Sequence, residues 1–159
     1  MVKKRTLAFT TLAVLAWAAL TTTLLGYFYI RFQEYVELSH EYEAAIMRVN
    51  IYIHYGNETG KFWYNDTIVP LGIALLNATE TIADVESTPY PGIGVLVDSI
   101  GGVANSVTEG KSWFWWNWDT TNSKWIYGEI GADQHMLHRG DIVAWTYRSY
   151  ETWPPPPPS

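Results

Sequence analysis

The chain has no cysteine, so it can form no disulfide framework, carry no thiol nucleophile and build no cysteine-ligated zinc site. Basic residues are also scarce, ten against sixteen acidic. Three of the ten, Lys3, Lys4 and Arg5, precede the first apolar run, and from Arg31 onward seven basic residues face all sixteen acidic ones. An acidic body without a basic stripe speaks against a nucleic-acid partner. The chain lacks G-x-S-x-G, a P-loop, H-E-x-x-H and the dinucleotide-binding glycine fingerprint. Its carboxylates Asp98, Asp119, Glu129, Asp133 and Asp141 are scattered, with no spacing that pairs them for acid–base work. His135, His138 and Asp141 would gather on one face only in a helix, yet they precede a Gly-Asp turn. The sequence therefore predicts neither an enzyme, nor a resident cofactor, nor a metal site.

Charge is absent from residues 6 to 30, TLAFTTLAVLAWAALTTTLLGYFYI. As a helix this run spans roughly 37 Å at 1.5 Å per residue, against a bilayer core of about 30 Å. A signal peptide usually has an apolar region of about 7–15 residues and a small-residue cleavage site. Ala16 and Ala18 form only a mid-run match to such a site, and Tyr27–Tyr29 with Arg31 resemble an interfacial belt. The reading is a retained signal-anchor: residues 1–5 cytoplasmic, 6–30 transmembrane in contact with lipid, and the remainder extracellular. Three N-x-T sequons, at Asn57, Asn65 and Asn77, are glycosylation candidates that agree with an external domain.

Glycine and proline are missing from residues 31 to 48. Phe32, Tyr35, Val36, Tyr42, Ala45, Ile46 and Val49 recur at threes and fours among Glu34, Glu37, Glu41 and Glu43. This predicts an amphipathic juxtamembrane helix over 31–47 that continues the membrane helix. Its stripe serves either self-association, together with the rest of 6–48, or packing on its own domain.

Beyond residue 48 the period changes to two. VNIYIHYG and KFWYNDTIV read as a hairpin across the Asn57–Gly60 turn cluster. Pro70 is expected to open a helix carrying Leu71, Ala74, Leu75, Ala78, Ile82 and Ala83 on one side. ESTPYPG reads as a loop, GVLVDSI as a strand ending at Gly101-Gly102, WFWWNW and KWIYGEI as a second hairpin, and IVAWTY as the last strand. The expected class is α+β, with one small sheet and one helix in a domain over 48–150, followed by a proline-rich tail over 151–159.

Residues 48–148 resemble the domain of unknown function related to the C-terminal domain of transcobalamin and intrinsic factor. The resemblance rests on VNIYIHYG, TIVPLGIALL, VLVDSIGGVAN, SWFWWNW and GADQHMLHRGDIVAWTY, in that order. The family's hairpin carries Asn-Gly after the aromatic strand, where this chain has Asn117-Trp118. The resemblance implies a β-grasp, ubiquitin-like domain of mixed sheet plus one helix, and a role in binding or display. In cobalamin carriers the related domain closes over a corrinoid held against a separate helical domain. These 159 residues contain no such domain, so cobalamin binding does not carry over.

Five of the nine tryptophans fall between positions 113 and 125. On a strand, Trp113 and Trp115 share one face, expected in the core with Ile51, Ile53, Leu75 and Trp145, and Phe114, Trp116 and Trp118 share the other. Several bare rings would exceed the apolar patch a monomer normally shows. Phe114, Trp116, Trp118 and Trp125 are thus the candidate binding residues, to be covered by a glycan, a planar small ligand, another subunit or the juxtamembrane helix. The five prolines after Trp153 favour a stiff polyproline II segment, read as a solvated terminus. The leading function is a membrane-anchored extracellular non-catalytic binding or interaction module. The alternative is a structural subunit of a surface filament or layer, since a long helix carrying a β-rich head is the outline of type IV pilins. Against pilin processing, Arg5 leads directly to Thr6, without the glycine or alanine at which prepilins are cut.

Overall fold

The computed structural model describes residues 2–57 and 60–158, with side chains from residue 9 onward. Lys3, Lys4 and Arg5 as side chains, and Glu58 and Thr59 of the first sequon, lie outside the described residues. The chain divides into two compact units, Met1–Glu43 and Ala44–Ser159.

The first unit is one helix, α1 (Val2–Ala45). Its only glycine is Gly26 and it holds no proline, so nothing in it interrupts the hydrogen-bond ladder. Thr21, Thr22 and Thr23 turn their hydroxyls back onto the Trp17, Ala18 and Ala19 carbonyls at 2.8–3.0 Å. Hydroxyls satisfied within the helix suit an apolar medium that offers no partner. No described side chain of α1 as far as Ala45 is buried, including Phe9, Trp17 and Phe28. Phe9–Ala45 is long and apolar enough to cross a membrane. Ile46 and Met47, read from the sequence as the end of the helix, instead open the first strand.

The second unit is α+β. Its main sheet contains β1 (Ile46–His54), β2 (Lys61–Pro70) and three strands from the C-terminal half. β1 and β2 form the expected hairpin, from Ile46 opposite Pro70 to His54 opposite Lys61. An irregularity at Asn50 is closed by its own Oδ1, which accepts the Asp66 N–H at 3.0 Å, with Asp66 at φ 52°. A short helix, α2 (Leu75–Glu80), follows. The sequence extended this helix back to Pro70, but Pro70 ends β2. β2 lies at the sheet edge, where a residue without an N–H costs no ladder bond, and Gly72 at φ 72° then turns the chain.

Three strands form a second sheet: β3 (Val85–Tyr90), β4 (Gly94–Ile100) and β5 (Val103–Ala104), in that order. This corrects two expectations, the single sheet and the loop at ESTPYPG. β3 is a polar edge strand, almost wholly exposed and interrupted by Pro89, so it has neither the composition nor the alternation of a recognisable strand. β4 stops at Gly101 and Gly102, both at positive φ, as read from the sequence.

β6 (Lys111–Asp119), β7 (Lys124–Tyr127) and β8 (Ile142–Ser149) complete the five-stranded sheet, in the order β2-β1-β8-β6-β7. β1 runs parallel to β8, and every other pair is antiparallel. The turn between β6 and β7 is closed by Asp119, whose carboxylate accepts Thr121 N, Asn122 N and Asn122 Nδ2 at 2.6–3.1 Å. The Asn122 side chain, the strongest of these influences, holds the Asp119 carboxyl below its ordinary pKa.

The main core gathers Met47, Val49, Ile51, Ile53, Leu75, Trp113, Trp115, Val143, Trp145 and Tyr147. α2 covers it, and Trp145 Nε1 donates to Thr79 Oγ1 at 2.8 Å while that hydroxyl donates to Leu75 O at 2.8 Å. The opposite sheet face carries a smaller cluster of Tyr52, Trp116 and Ala144, with Trp125 and Tyr127 against it. The alternation read from WFWWNW is the one observed.

Candidate functional site

β6 pairs with β8 along Lys111–Asn117, but with β7 only from Trp116 onward. Its first half therefore presents an edge that no strand covers, and a cleft of about 370 Å³ opens there. Ser112, Trp113, Phe114 and Trp115 form the floor, and Tyr90, Ile93 and Val95–Val97 form one wall. The other wall is Tyr127–Ala132, and Trp153 stands at the rim.

The walls are tied together by hydrogen bonds. Gly131 N donates to Ile93 O at 3.0 Å, and Val95 N donates to Asp133 Oδ1 at 2.8 Å. Gly128 N donates to Trp115 O at 3.0 Å, and Trp115 Nε1 donates to Ile130 O at 2.9 Å. Trp113 Nε1 donates to Val103 O at 2.7 Å. These two indole N–H groups are thus satisfied by protein. Gly128 is required here because a Cβ would overlap the Trp115 indole.

The rim is aromatic and open. Trp153 lies 5.3 Å from Tyr127 and 6.2 Å from Phe114, ring centre to ring centre, and remains 69% exposed. Ile93 is 57% exposed at the other lip. Burial, more than the Glu129 carboxylate, raises the Tyr127 phenol above its ordinary pKa. The tail read as solvated instead brings Trp153 onto the sheet and buries Pro155.

The four candidate binding residues separate. Phe114 lines the cleft. Trp116 is buried under the Tyr127 ring, 5.4 Å away, with its Nε1 donating to Thr146 Oγ1 at 3.0 Å. Trp118 and Trp125 form an edge-to-face pair at 5.1 Å. Trp118 also borders a second, polar hollow beside Asn117, Asp119 and Asp141. Tyr127, Ile93, Val95 and Trp153 were not singled out from the sequence. They reach the cleft from segments far apart in the chain, and only Trp153, an aromatic set before a proline run, carried a local signal.

Among the described residues, no group of three or more histidines and carboxylates is placed to hold a metal ion. His138 and Asp141 form a turn, with His138 N donating to Asp141 Oδ2 at 2.8 Å. His135 lies apart, its ring 4.5 Å from the Trp115 ring centre, and burial lowers its pKa. Asn65 and Asn77 are exposed, whereas Thr79 of the third sequon is fully buried.

No family model matches the chain, and no curated protein matches it by sequence. Solved structures do. Haptocorrin in complex with Cbi matches at 14% identity and a TM-score of 0.50, over 66% of this chain and 25% of haptocorrin. A Ruminococcus gnavus protein, described as a candidate metal binder, matches at 15% identity and a TM-score of 0.47, over 65% of this chain and 97% of its own. The chain spans about a quarter of the length of haptocorrin, and at this identity the likeness is one of fold.

Proposed function

We propose that this protein is a membrane-anchored, non-catalytic binding module whose cleft beside β6 takes a flat, apolar small ligand. The cleft itself carries the proposal: an open space of about 370 Å³ walled by Trp113, Phe114, Trp115, Tyr127 and Trp153, within the usual size range of small-molecule sites. The sheet order, with a central parallel pair between antiparallel neighbours, supports a β-grasp reading. The likeness to part of haptocorrin, solved in complex with Cbi, supports a ligand role. The span at Phe9–Ala45 supports anchoring, and the exposed Asn65 and Asn77 support an extracellular, glycosylated domain.

The test uses the full chain in lipid nanodiscs. An aromatic fluorophore such as anilinonaphthalene sulfonate should bind through its rings, with energy transfer from tryptophan, and Trp153→Ala should weaken it about tenfold. Binding unchanged in both Trp153→Ala and Tyr127→Ala would overturn the assignment of the cleft.

A second reading, a subunit of a surface filament or layer, draws on one observation. Phe32, Tyr35, Leu38 and Tyr42 remain exposed on α1 beyond the charge-free run. Ordered polymers in purified surface material would favour it, and a nanodisc sample holding one copy per particle would count against it.

A further inference from the structure

Strand polarity shows which polar groups the cleft offers. In an antiparallel ladder the N–H and C=O of one residue point to the same side. Lys111 N and O pair with Ser106, Trp113 N donates to Asn105 Oδ1 at 2.9 Å, and Trp115 O accepts from Gly128 N. The odd-numbered residues of β6 therefore point away from β8, toward the cleft. Two groups on that edge, the Trp113 C=O and the Trp115 N–H, have no protein partner among the described residues. An acceptor and a donor, one residue apart, thus face an otherwise apolar space. Four consecutive residues line the cleft because the strand shows it a backbone edge as well as side chains.

The adjoining rung shows what fits between the two sheets. Asn105 lays its carboxamide between β4 and β6, with Nδ2 donating to Val97 O at 2.8 Å and Oδ1 accepting Trp113 N. Ser112 Oγ donates to the same Oδ1 at 3.0 Å. One planar amide, bonded on both edges, therefore spans the gap at its closed end. The open end has the same strand edges and lacks the amide.

We infer that the cleft recognises its ligand through an extended residue laid along β6 with an amide at either end, the N–H of the first amide donating to the Trp113 C=O and the C=O of the second accepting from the Trp115 N–H. Apolar groups on either side of that residue rest against Ile93, Tyr127 and Trp153. This rests on the ligand-binding reading above and narrows it to peptide-like ligands with two successive amides.

The experiment uses full-length protein in nanodiscs and three probes: N-acetylphenylalanine methylamide, the ester in which oxygen replaces its acetamide NH (O-acetyl-3-phenyllactic acid methylamide), and benzamide. The ester keeps the size and apolarity of the first probe but lacks the N–H that the Trp113 C=O requires. The methylamide should bind at least about fivefold more tightly than the ester, the factor expected for one unmade hydrogen bond to a group held away from water. The Trp115 amide proton should move downfield and exchange more slowly when the methylamide binds. Benzamide, with a single amide, should bind more weakly and leave the Trp115 signal in place, and binding as tight as that of the methylamide with the same Trp115 signature would overturn the two-amide arrangement. Equal affinity for ester and amide, or an unmoved Trp115 signal, would overturn the inference. If the fluorophore binds at the cleft while no amide does, the amide inference fails and the ligand-binding reading stands. If neither binds, both fall.

Discussion

The two faces of β6 are built from the same residue types and end up with different roles. On the inner face, Trp113 and Trp115 pack with Ile51, Ile53, Leu75 and Trp145, with α2 above. On the outer face only Trp116 is fully buried, under Tyr127 and beside Tyr52 and Ala144. Phe114, Trp118 and Trp125 stay partly open. Aromatic content therefore does not decide which face is core. The second layer does: a helix and a second sheet inside, single rings and the tail outside.

The largest test of that difference lies on the inner face. Trp145 is almost fully buried in β8 and bonded to Thr79 Oγ1. Trp145→Ala should cost about 3–5 kcal/mol, because a large cavity opens beneath α2 and the Thr79 hydroxyl loses its donor. Urea denaturation of the full chain in detergent, followed by near-ultraviolet dichroism, measures it. A loss under about 1 kcal/mol would mean that the inner face is not the core.

Trp116→Phe probes the outer face. A smaller aromatic ring is kept, and the Nε1–H bond to Thr146 Oγ1 is lost at a fully buried threonine. The expected cost is about 1–2 kcal/mol in the same assay. A cost equal to that of Trp145→Ala would erase the distinction between the faces.

That distinction was legible in the sequence because side chains alternate strictly along a strand, so WFWWNW divides without knowledge of its neighbours. Both hairpins were legible from turn residues between alternating runs. Pro70 misled because proline suits a helix start and the end of an edge strand alike, and only pairing with Ile46 separates the two. β3 was invisible because an exposed edge strand needs neither apolar residues nor alternation. The cleft was only partly legible. Phe114 was named from the aromatic strand, but Ile93, Tyr127 and Trp153 come from a hairpin tip, a strand end and the tail. No local pattern records that these meet. The unfilled rung on β6 depends on where β7 stops, which is a matter of pairing and not of composition.

His135 tests the underside of the inner face. Its ring lies against Trp115, and burial lowers its pKa below the ordinary value near 6.5. The nearby Asp141 charge opposes this shift, and His138 adds to it. With the folded pKa below the unfolded one, the unfolded chain binds the proton first. The contribution of His135 to stability is thus complete above pH about 6.5 and is lost as pH falls through the folded value. Unfolding midpoints between pH 7.5 and 5 should fall less in His135→Gln than in the parent chain. Identical pH profiles would show that His135 is not buried against Trp115.

The smallest expected effect on stability, and the sharpest on the comparison, belongs to Trp153. Its ring touches Phe114 and Tyr127, yet most of its surface stays in water, so Trp153→Ala removes little buried area. Stability should change by less than about 0.5 kcal/mol. Fluorophore binding in nanodiscs should nevertheless fall about tenfold, because the rim loses its outermost ring. Only a residue held for a ligand rather than for the fold separates the two measurements in this way. If stability fell by about 2 kcal/mol or more and binding fell only in proportion to the folded fraction, Trp153 would be a structural strap. The outer face would then be a second, thinner core, and the contrast between the two sides of β6 would be one of degree.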